Sequence, residues 1–92
     1  MISFNVAGFL TDFTNGQSQI TIDGLPTSVS EALGQLWELH VGLRDRVVNE
    51  KGEVRLHVNI FVNNENIKDR QALRTSLADG DEITILPSVS GG

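Results

Sequence analysis

Residues 77–92 read Leu77-Ala78-Asp79-Gly80-Asp81-Glu82-Ile83-Thr84-Ile85-Leu86-Pro87-Ser88-Val89-Ser90-Gly91-Gly92. Asp79-Gly80-Asp81 is a turn signal, because Asp and Gly tolerate the backbone angles that a reversal needs. The run that follows, residues 82–86, reads as a final strand with Ile83 and Ile85 on one face and Leu86 on the other. Beyond it the side chains shrink and the chain ends in two glycines. Glycine has no Cβ, so Gly91-Gly92 can pass a channel too narrow for any side chain. Fully extended, residues 87–92 reach about 20 Å. The expectation is a domain over residues 1–86 carrying a flexible tail over residues 87–92, able to enter another protein's active site. Small-residue chain ends also fray, and a Gly-Gly pair alone does not separate the two readings.

Working back from that end, residues 53–62 alternate, with Val54, Leu56, Val58, Ile60 and Val62 on one side and Arg55, His57, Asn59 and Phe61 on the other. This predicts a central strand. Residues 63–66 are turn formers, Ile67 is expected to open a short edge strand, and Leu73 and Leu77, four apart, suggest a short helix. At the start of the chain Ile2, Phe4 and Val6 alternate with Ser3, Asn5 and Ala7, a half-buried strand with Phe9 and Leu10 bending into a loop. A turn over residues 11–16 leads to a second strand at 19–23. Ser28 with Glu31 three residues on is a capping box. It opens a helix whose stripe is Val29, Leu33, Leu36, Trp37 and Val41, with Gly42 just past its end and a short helical turn after it. The order strand, strand, helix, strand, short strand, strand predicts an α+β fold, a mixed sheet of four to five strands packed on one main helix.

At 92 residues the chain is one domain, with room for one modest core and none for a separate substrate domain. The net charge of −5 argues against nucleic acid and anionic membranes as partners. No apolar run is long enough for a transmembrane helix or a signal-peptide core, which makes the cytoplasm the default location. Without cysteine there is no disulfide, no thiolate metal site and no cysteine nucleophile. His40 and His57 have no third ligand at metal spacing, so no metal site is expected. Ser88 and Ser90 have no base nearby in sequence, and Asp79, Asp81 and Glu82 read as a solvated turn. Phe61 stands apart, since it falls on the polar side of its strand, where a large apolar group needs a cover.

The strand order, the Gly-Asp turn before the last strand and the Gly-Gly end together resemble the ubiquitin-like β-grasp fold. Residues 77–92 are similar to the signature end of the MoaD/ThiS family of sulfur carriers, and Val58-Asn59-Ile60-Phe61-Val62-Asn63-Asn64-Glu65 looks like that family's central strand and turn. The long first loop and the segment over residues 43–52 resemble carriers that feed sulfur into cysteine biosynthesis. The resemblance implies that the Gly92 carboxylate is the adenylation and thiocarboxylate site. An ATP-dependent, ubiquitin-activating-like adenylating enzyme would make the acyl-adenylate, which sulfide or a persulfide then converts to a thiocarboxylate. The second partner would be a sulfur-accepting biosynthetic enzyme, of the cysteine, molybdopterin or thiazole type, a pyridoxal-phosphate cysteine synthase among the candidates. On this reading the protein is a cosubstrate rather than an enzyme, binds no cofactor of its own, and has no catalytic residue.

Gly91, Ser90 and Val89 are the residues expected to thread the partner's channel. Phe61, Leu86 and Val89 are the expected partner-binding residues, on the sheet face away from the helix unless the loop over residues 11–16 caps Phe61. Two other functions fit the same residues, a ubiquitin-like modifier that forms isopeptide bonds to lysine and a passive β-grasp interaction module.

Overall fold

The first and last strands meet at the centre of the sheet. β1 (Ile2–Val6) runs parallel to β5 (Glu82–Pro87), with Phe4 opposite Ile83 and Val6 opposite Ile85. β2 (Gln19–Ile22) pairs antiparallel on the far side of β1, and β3 (Val58–Val62) pairs antiparallel with β5. The two-residue β4 (Glu65–Asn66) closes the edge beside β3, giving the order β2-β1-β5-β3-β4. The structure, a computed structural model, describes residues 1–87.

Alternation in β1, β3 and β5 delivers one apolar face. Ile2, Phe4, Val6, Val58, Ile60, Val62, Ile83 and Ile85 are all buried. Against that face lies α1 (Val29–Leu39), which contributes Val29, Ala32, Leu33 and Leu36, while Trp37 packs at the margin of the core. The helix starts where the capping box places it. Ser28 Oγ accepts from Glu31 N–H at 3.3 Å, and the Glu31 carboxylate reaches back to accept from Thr27 N–H at 2.9 Å and from the Thr27 hydroxyl. The Thr27 hydroxyl, with the Thr27 N–H second, holds the Glu31 carboxyl below its ordinary value of 4.5.

Several expectations need correction. The helix does not run on to Val41: His40 leaves helical angles, at φ −136° and ψ 79°, and the chain re-enters a second helix, α2 (Val41–Val47). Val41 is thereby 77% exposed, Gly42 lies inside α2, and Leu43 and Val47 become the buried residues. The third strand begins at Val58, not at residue 53. A turn intervenes, with Val58 N–H on the Arg55 carbonyl at 3.0 Å, while Val54 makes only an isolated bridge to Val48. Leu56, expected on the buried side, is 95% exposed.

Ile67 opens a 3-10 turn (Ile67–Asp69) after the edge strand rather than starting that strand, and Leu73 sits in a second 3-10 turn (Ala72–Arg74) that ends before Leu77. At the end of the sheet, β5 continues one residue beyond Leu86, so Pro87 belongs to the sheet, opposite Val58. One element was not foreseen: residues after β1 form a 3-10 helix (Gly8–Phe13) that buries Leu10 completely. It packs against α2, where the Arg46 guanidinium lies 4.7 Å from the centre of the Phe13 ring.

Candidate functional site

Gly92, Gly91, Ser90 and Val89 lie outside the described residues. What the structure describes is the platform from which they leave. Pro87 is held on both sides. On one, it faces Val58 across the β3–β5 ladder. On the other, its ring lies over Gly8, whose φ is +64° and whose missing Cβ would come within 3.0 Å of Pro87 Cγ. Gly8 is needed twice here, for a left-handed backbone and for the space the proline ring fills. Ala7 N–H donates to the Ile85 carbonyl at 3.1 Å and fixes the register just before that contact.

The sheet face away from the helices carries Phe61 and Leu86. Phe61 faces Thr84, and Leu86 faces Asn59, so the two apolar groups are diagonal neighbours across β3 and β5. Leu86 is 37% exposed and Phe61 half-buried, outside the core cluster. Around them the face is uncharged: Thr84 and Asn59 lie between them, and Asn5 lies opposite Thr84 on β1, accepting a hydrogen bond from Gln19 Nε2 at 3.2 Å. Charge appears further along β5, at Glu82, which lies opposite Ser3 of β1. The loop that could have capped Phe61 is engaged elsewhere, since Phe13 lies under Arg46 of α2. Of the residues named from sequence, the structure therefore brings Phe61 and Leu86 together on one face, beside the strand that leads to Pro87.

Asn5, Asn59 and Thr84 around the pair carry no charge, and among the described residues no three His, Asp or Glu side chains converge to hold a metal ion. His57 is exposed in the turn before β3, and His40 links the two helices. Asp79 is engaged by the Met1 amino group, which holds its carboxyl below the ordinary value of 3.8. What the face offers is an apolar pair at its surface. Replacing Phe61 by Ala is expected to weaken a partner that docks here by about 1–3 kcal/mol. The melting temperature should change little, because the ring lies outside the core. Calorimetric titration and a thermal melt on the same sample check both. A protein that melts far lower yet binds as before would mean that Phe61 is a core residue.

Comparison with known proteins extends the geometry. The model of the ThiS family matches residues 5–92, through the final Gly-Gly. Sulfur carrier protein CysO of Mycobacterium tuberculosis is 31% identical over 93 residues, covering 99% of this chain and 98% of that protein. Small archaeal modifier protein 1 of Haloferax volcanii is 38% identical over 74 residues, covering 80% of this chain and 79% of that one. Among solved structures, the Amycolatopsis orientalis BexX/CysO complex contains a chain that superposes with a TM-score of 0.88 at 28% identity, each chain fully covered.

Proposed function

We propose, from the premise that this chain belongs to the ThiS family, what the carrier does and where. The chain is a ubiquitin-like sulfur carrier with the β-grasp fold, and its working atom is the Gly92 carboxyl. A carboxylate resists nucleophilic attack, so it must first be activated. A Gly92 oxygen attacks the α-phosphorus of ATP in the active site of an adenylating enzyme, pyrophosphate leaves, and an acyl-adenylate forms. Hydrosulfide then adds to the acyl carbon, the acyl carbon–oxygen bond breaks so that AMP departs with that oxygen, and loss of the sulfur's proton gives a thiocarboxylate. That group donates sulfur to a biosynthetic enzyme.

The described residues supply positioning. The Phe61 and Leu86 face and the Gly8–Pro87 contact hold the partner and aim the tail, so that a bimolecular step becomes an effectively unimolecular one. The observation that carries the reading is the family match, which includes the Gly-Gly end and does not stop at the folded domain. The likeness to CysO favours cysteine biosynthesis as the destination of the sulfur, with a pyridoxal-phosphate synthase as acceptor.

The test is intact-protein mass spectrometry after incubation with ATP, magnesium, sulfide and the adenylating enzyme encoded in the same genome. The expected result is a mass gain equal to one oxygen exchanged for sulfur, at the last residue. An unchanged mass, with the same enzyme loading another carrier, rejects the reading. The likeness to a small archaeal modifier protein favours a second fate for the same adenylate, attack by a lysine amine. It would appear, after tryptic digestion of cell protein, as lysines bearing residues 75–92, since Arg74 is the last tryptic site of the chain, and it would be lost when Gly92 is deleted.

A further inference from the structure

We propose that the residues around the root of the tail, Phe9, Leu56 and His57 with Arg55, form a second docking surface. Its occupant is the mouth of the enzyme pocket that receives the tail, a mouth with apolar lips and a carboxylate facing Arg55. The inference rests on the carrier reading and adds to it a place and a partner chemistry distinct from the Phe61 face.

Phe9 and Leu56 stand on opposite sides of Pro87. Phe9 follows Gly8, the residue under the proline ring, and is 51% exposed. Leu56 lies two residues before Val58, the β3 partner of Pro87, and is 95% exposed. Single exposed apolar side chains are ordinary, but Leu56 is not on a loose loop. Its turn is fixed by Arg55 N–H on the Val47 carbonyl at 2.9 Å and by Arg55 Nε on the Asp45 carbonyl at 2.8 Å. A leucine held out to solvent on a rigid turn loses little entropy when a partner covers it. Phe9, Arg55 and His57 line one cleft of about 200 Å³ with Asp45 and Arg46, and Arg55 and His57 line a second with Leu56, so the two exposed apolar groups share Arg55 and His57 as neighbours.

Two observations choose the occupant. First, on the carrier reading the reacting carboxyl belongs to Gly92, where the family match ends, five residues beyond Pro87, a reach of about 17 Å at full extension. A carboxylate presented to a buried reacting group uses most of that length inside the partner's channel. The rim of the channel must therefore close on the root, and whatever surrounds the root becomes buried. Second, the chain carries a net charge of −5, yet this spot presents Arg46 and Arg55, and the adjacent Asp45 carboxylate is already engaged by Arg44 at 3.3 Å. A local cation on an acidic protein selects a carboxylate on the partner and sets its rotation about the tail.

The test uses Leu56→Asp and Phe9→Asp in the full chain, with the adenylating enzyme of the same genome as probe and ATP-pyrophosphate exchange as readout. The expected result is KM raised about tenfold or more in each variant, kcat unchanged and the Leu56→Asp melt at the wild-type temperature. Because Leu56 is almost wholly exposed, that variant keeps the test decisive if Phe9→Asp folds poorly. Wild-type KM in Leu56→Asp overturns the collar and leaves the carrier reading standing. No exchange with the wild-type chain overturns the carrier reading, and the collar with it.

Discussion

Deletion of Gly92 is expected to abolish sulfur loading completely while leaving the melting temperature where it was. Appending one residue after Gly92 should do the same. In the deletion the carboxylate moves back by one residue, about 3.5 Å. That is far more than the 1 Å misplacement that already lowers rates by about a hundredfold. In the extension the reacting carboxyl becomes an internal amide and can no longer attack ATP. Neither change touches β5, which is tied to β1 and β3 up to Pro87, so stability has no reason to move. The check is intact-protein mass after incubation with ATP, sulfide and the adenylating enzyme, beside a thermal melt. Sulfur gained by the deletion variant would place the reactive carboxyl elsewhere.

Phe4→Ala is expected to produce the largest loss of stability among the phenylalanine truncations, about 3–5 kcal/mol. The ring is fully buried at the middle of β1, flanked by Ile20 on one neighbouring strand and Ile83 on the other. Domains of this size hold about 5–15 kcal/mol in total, so the variant should melt roughly 12 °C or more below wild type. Urea denaturation with an unchanged m value gives the number directly. A cost below about 1.5 kcal/mol would mean that the site collapses around the missing ring, and that the core is looser than its burial indicates. The contrast with Phe61→Ala is the point of the pair. Two phenylalanines on adjacent parts of one sheet differ in role because they differ in face.

That difference was legible in the sequence. Period-2 alternation in residues 2–6, 58–62 and 82–86 assigned the faces correctly, because a strand with one side on a core leaves no freedom of register. Ser28 and Glu31 fixed the start of α1 for a similarly local reason. The errors fall where tertiary contacts overrule a continuing pattern. Residues 54 and 56 extend the alternation of β3, yet the Arg55 side chain and backbone donate to carbonyls in the last turn of α2, at Asp45 and Val47, and the chain turns instead. Leu36, Leu43 and Val47 would suit one unbroken helix, and residues 35–41 hold neither Gly nor Pro to announce a break at His40. The break coincides with the packing of the Gly8–Phe13 turn on α2, where a Cβ at Gly42 would lie 3.7 Å from the Phe13 ring. Of the candidate site, Phe61 and Leu86 were readable by parity. The Leu56 and Phe9 surface was not, because it depends on a turn that the alternation conceals.

The parallel pairing of β1 with β5 has a consequence for synthesis on the ribosome. β1 is the first strand to emerge and sits between β2 and β5, so its hairpin with β2 waits, one edge open, until residues 82–87 arrive. Contacts of such long sequence separation slow folding, and a lone hairpin is marginal in water. A chain terminated early therefore lacks its middle strand partner and stays open to proteolysis. A chain that stops short of residue 82 therefore lacks both the closed sheet and the segment that leads to the tail.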